Sequence, residues 1–206
     1  FVETDTTTGN FYVDDIAFAK EGASTPTPVL TATATATATL TATATATSTP
    51  VIASTWRVLA GSEVDYVDST GAVWSADTNF TGGTPYSTTK TVSGALPASS
   101  DMALYQSERY GNPFTYAFNV PAGSYQVTLK MAETYFTASG SRSFNVSVNG
   151  TEVMTNYDIF AAAGADKAVD MVFNNIAPAN GKITIEFGPA AVDNAKVCAV
   201  QIITQP

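Results

Sequence analysis

Several large aromatic side chains fall beside turn-forming residues rather than within alternating apolar runs. Trp74 sits in GAVWSAD, Tyr110 stands before Gly111, and Tyr135 and Phe136 are adjacent in AETYFTASG. Asp193 lies in GPAAVDN, a loop by composition. Rings and a carboxylate gathered on loops suit one chemistry well. A pyranose offers an apolar face of C–H groups that a flat ring covers, and a belt of hydroxyls that Asp, Asn or Gln can bind. Core packing is the competing role for each ring taken singly.

The stretch LYQSERYG, residues 104 to 111, mixes rings and polar groups on both faces if it is a strand. Leu104, Gln106, Glu108 and Tyr110 share one side, and Tyr105, Ser107, Arg109 and Gly111 the other. Tyr110 is the candidate to face a ligand. Leu104 and Tyr105 are expected to pack, with Glu108 and Arg109 satisfying each other or nearby backbone.

Other chemistries are narrowed by composition. The chain has no histidine, which excludes histidine metal sites and Ser-His-Asp catalysis. Its one cysteine, Cys198 in KVCAVQII, reads as a small buried side chain in a strand. A net charge of −9 without a basic cluster speaks against nucleic acid and anionic membrane surfaces. No apolar run is long enough for a transmembrane helix. No metal or other cofactor is called for.

Three segments must position these residues. Residues 1–23 hold one strand pattern, FYVDDIAFA, which reads as the end of a preceding module or a donated strand. Residues 24–55 alternate Thr and Ala between prolines, a linker whose hydroxyls are candidate O-glycan acceptors. Residues 56–206 contain short strand patterns: WRVLAG, EVDYVD, DMALYQSERYG, FTYAFNV, SYQVTLKMAETYF, RSFNVSVNG, KAVDMVFNNI, KITIEFG and KVCAVQIIT. Separated by Gly, Pro and Asn turns, they predict an all-β sandwich. In SYQVTLKM, Tyr125, Val127, Leu129 and Met131 face the core, and Ser124, Gln126, Thr128 and Lys130 are expected to face water. NYDIFAAAGAD could hold a short helical turn, though no sustained helical period runs through it.

The phrases LYQSERYG, YQVTLKMAETYF, RSFNVSVNG and VDNAKVCAVQI, in this order and spacing, resemble the malectin-like domains grouped as carbohydrate-binding module family 57. The resemblance spans residues 57 to 203. It implies a jelly-roll-like β-sandwich that binds glucose-containing oligosaccharides without catalysis. By motif position it also implies a ligand set of Trp74, where the family has a tyrosine, with Tyr110, Tyr135, Phe136 and Asp193.

The expectation is therefore a non-catalytic binder of oligosaccharide or polysaccharide. It would be an extracellular module cut from a longer secreted, multidomain precursor. Two alternatives stand beside it. A glycosidase would pair two of Glu108, Glu133 and Asp193 at about 5 to 10 Å, one with a raised pKa. A fibre subunit would polymerise by strand addition through residues 1–23 and the linker.

Overall fold

The computed structural model describes residues 54–94 and 99–206. The expected terminal strand of residues 1–23, residues 24–53 of the expected linker and the fibre they would build lie outside these described residues, while Ser54 and Thr55, expected in the linker, join the domain by bonding to Thr204 and pairing with Ile203.

Two five-stranded sheets face each other. The first runs in the order Thr55–Leu59, Ala199–Gln205, Ser124–Ala132, Lys167–Ile176 and Ser93–Gly94. The second runs Thr151–Tyr157, Ser143–Val148, Lys182–Val192, Phe114–Asn119 and Phe80–Thr81. Period-two alternation explains why they close on each other. Phe114, Tyr116 and Phe118 of one strand and Phe144, Val146 and Val148 of another are buried, as are Tyr125, Val127, Leu129 and Met131 opposite them. Phe114 and Phe187 stack with centroids 4.7 Å apart. The expected all-β sandwich is the observed architecture.

A smaller, three-stranded sheet joins Ala195–Val197, Ser107–Gly111 and Thr84–Ser87. The chain reaches it by a switch at Cys198, where one apparent strand divides. Ala195–Val197 pairs with Ser107–Gly111, and Ala199–Gln205 pairs with Ser124–Ala132. Cys198 is buried as expected, but at the break and not in a strand.

Three local expectations are corrected. Residues 101 to 105 are not strand: Ser99–Tyr105 forms 3-10 turns, and only Ser107–Gly111 is extended. EVDYVD yields only the two-residue strand Tyr66–Val67. The second face of Ser124–Ala132 is wet only at its start, since Thr128 is 8% and Lys130 5% exposed. A second apolar cluster that includes Leu59, Trp74, Leu104, Tyr105 and Cys198 covers that end. Lys130 is accommodated there by Asp170 at 2.6 Å and the Tyr105 hydroxyl at 3.2 Å. The helical turn in NYDIFAAAGAD is present as Ile159–Ala163, capped by the Asp158 carboxylate accepting from Ala161 N.

Candidate functional site

The small sheet sorts LYQSERYG by strand alternation. Glu108 pairs across with Tyr86, and Tyr110 with Lys196, so these side chains share one face. That face lines an open cavity of about 300 Å³, together with Tyr135, Arg142, Asp193 and Asn194. Arg109 points the opposite way. It meets Asp77 at 2.7 Å and donates to the Gly82 and Gly83 carbonyls. Glu108 and Arg109 therefore do not satisfy each other: Glu108 is paired with the fully buried Lys196. Gly61 lets the chain pass close behind, at φ +75°, where a Cβ would lie 2.1 Å from the Glu108 carbonyl oxygen.

The strand Ser124–Ala132 stops before Tyr135, and the chain bends. Tyr135 is 67% exposed. Phe136 is half-buried; it stands edge-on to Tyr135 at 5.0 Å and has the Arg142 guanidinium 5.1 Å from its ring centre. Asp193 holds a left-handed φ of +56°, which Asp tolerates, in the turn between Lys182–Val192 and Ala195–Val197.

Charges knit this wall together. Arg142, 4% exposed, donates to Glu133 at 2.6 Å, to Asp193 at 2.7 Å and to the Asn194 carbonyl at 2.5 Å. Glu133 also accepts from the amides of Tyr135 and Phe136, at 3.0 and 3.1 Å. Burial pushes its carboxyl upward, but the Arg142 hydrogen bond and the charges of Lys196 and Arg142 outweigh that. The net shift is below the usual carboxylate range.

The structure thus brings Tyr110, Tyr135 and Asp193 to one cavity, with Phe136 behind Tyr135. Trp74 is a correction. It is 2% exposed, sits in the second apolar cluster, and donates its indole N–H to Asp68 at 2.9 Å. Its place beside a turn marks a lid over the core and not a ligand surface. Sequence reasoning missed Tyr86, which is 41% exposed at the cavity. The signal was available, since Tyr86 follows the turn residues GGTP. Arg142 gave no such signal, because an arginine heading a strand pattern is ordinarily exposed.

A family model described as Malectin domain matches residues 54–200. Malectin of Danio rerio is 36% identical over 118 residues, which cover 50% of this chain and 41% of that protein. Malectin of Homo sapiens is also 36% identical over 118 residues, covering 50% of this chain and 40% of the relative. The chain thus spans about two fifths of the length of these curated relatives. Among solved structures, the ANXUR1 extracellular domain from Arabidopsis thaliana is similar at a TM-score of 0.65 and 16% identity, covering 73% of this chain and 48% of that one. A Bacteroides uniformis beta-glucuronidase is similar at a TM-score of 0.63 and 17% identity, covering 74% of this chain and 18% of that one. At such identities the likeness is one of fold. The cavity residues all fall within the segment that the family model matches, and by that match the chain belongs to the malectin domain family.

Proposed function

We propose that residues 54–206 form a non-catalytic carbohydrate-binding module for glucose-containing oligosaccharides, of the kind grouped as carbohydrate-binding module family 57. The observation that carries this reading is the open cavity where two exposed tyrosines, Tyr86 and Tyr135, stand beside Asp193. About 300 Å³ is at the small end for ligand pockets, so a short saccharide enters and a longer chain continues into solvent. Rings cover sugar C–H faces, while Asp193, Asn194 and Glu108 offer acceptors to hydroxyls.

The charge arrangement favours binding over hydrolysis. A glycosidase needs one carboxyl that keeps its proton near neutral pH. Glu133 is held below the usual range, Asp193 is paired with Arg142, and Glu108 with Lys196. We assign the module to a secreted, extracellular multidomain protein, in keeping with its Thr-rich, Pro-flanked linker.

The test is a calorimetric titration of the full chain with glucose disaccharides of α and β linkage, with galactose and mannose disaccharides for comparison. Binding of one glucose series, with the disaccharide recovered intact, is the expected result. No heat with any glucose disaccharide at millimolar concentration would overturn the reading, and so would release of free glucose.

A further inference from the structure

Tyr135 and Asp193 are cavity residues carried on two separate exposed loops. Tyr135 is 67% exposed, so apart from its edge contact with Phe136 its direction is set by its backbone. Asp193 lies in an exposed turn, and its carboxylate is held by Arg142. Both anchors lead to the same buried carboxylate. Glu133, 0% exposed, takes the Tyr135 and Phe136 amides on Oε1 and the Arg142 Nε on Oε2. Arg142 then extends Nη1 to Asp193 Oδ2 and to the Asn194 carbonyl. Two loops 58 positions apart along the chain are thereby referred to one carboxylate.

We infer that Glu133 is the positioning residue of this site, fixing the aromatic tip through its amides and the acidic side through Arg142, without touching the sugar. The inference rests on the carbohydrate-binding reading. Its chemistry is specific to a carboxylate. In Glu133→Gln the amide oxygen can keep the two backbone N–H groups, but the amide nitrogen then opposes Arg142 Nε, donor against donor. If the amide flips to accept from Arg142, it abandons the two N–H groups. One half of the site loses its anchor either way.

The experiment uses the full chain and whichever glucose disaccharide the wild type binds. Glu133→Gln is expected to weaken binding at least tenfold, measured well below its melting temperature. Hydrogen exchange, read without ligand, should quicken at least tenfold at the Tyr135 and Phe136 amides or in the Asp193–Asn194 turn, according to which half loses its anchor, while amides of Thr151–Tyr157 hold their rates. A role confined to overall stability would shift all these amides together and leave affinity alone. Affinity within twofold of wild type, or unchanged exchange at both loops, would overturn the proposal. Should Glu133→Gln fail to fold, Glu133→Asp keeps the charge at shorter reach, and the same two readouts apply with an expected threefold or greater loss of affinity. A wild type that binds no glucose disaccharide refutes the function, whereas a binding wild type with an equally strong Glu133→Gln refutes only the positioning role.

Discussion

Replacing Tyr135 by alanine separates binding from folding more sharply than any other change at the cavity. A tyrosine carries roughly 150 to 250 Å² of surface, of which one ring face is about half. At about 25 cal/mol per Å² that face contributes roughly 2 to 3 kcal/mol when a sugar covers it. One third of Tyr135 is already covered by the protein, which brings the expected loss to about 2 kcal/mol, or roughly 30-fold in affinity. The fold should hardly respond. The edge contact with Phe136 is itself partly solvated, and the Tyr135 amide keeps its bond to Glu133 in the alanine variant. The stability cost should stay under about 1 kcal/mol, a melting shift within about 4 °C for a domain of this size. Titration calorimetry and scanning calorimetry on the same sample read both quantities. Affinity within threefold of wild type, or a melting point lowered by 10 °C, would refute the placement of Tyr135 as an outward ligand surface.

Three other perturbations have defined outcomes. Trp74→Phe should do the reverse of Tyr135→Ala: it loses the bond to Asp68 in a buried setting and about 1 to 3 kcal/mol of stability, with sugar affinity within twofold, as denaturant melts and titration would show. Asp68 is lifted by burial but lowered further by bonds from Thr70, Trp74 and Ala72, leaving it at about 2. Its contribution is thus present above the unfolded value near 4 and lost as pH falls toward 2, so Asp68→Asn should flatten acid unfolding in that window; an unaltered pH profile would count against it. Burial pushes the Cys198 thiol up to about 12, with Lys196 opposing and Glu108 adding, so a thiol reagent at pH 8 should label the chain only in denaturant, and stoichiometric labelling of the native protein would contradict the fold.

The sandwich was legible because its strands obey period-two alternation where one face is dry, as in FTYAFNV and RSFNVSV. Legibility failed where a second layer covers the other face. Lys130 reads as a solvent residue, yet Asp170, Tyr105 and Trp74 enclose it, and a sequence does not disclose what folds over a strand from 25 or more positions away. The same layer accounts for Trp74, whose turn-side position looks like Tyr86's while its environment is opposite. Tyr110, Tyr135 and Asp193 could be read as sharing a cavity because each stands beside turn-forming residues, outside an alternating apolar run. The charge network could not. Arg142 reaches Glu133 across nine positions and Asp193 across 51, and no local pattern encodes such a meeting.

The first and last strands of the described residues lie side by side. Thr55–Leu59 pairs along Ala199–Gln205, and Ser54 and Thr204 exchange backbone and hydroxyl hydrogen bonds. The two ends of the described domain therefore lie at nearly the same point. Such a unit can be spliced into a surface turn of a host protein, or have its ends joined and reopened elsewhere, with little disturbance to either partner. It also means that a ribosome must release almost the whole domain before Thr55–Leu59, bridged locally only to Ser75, can zip along Ala199–Gln205.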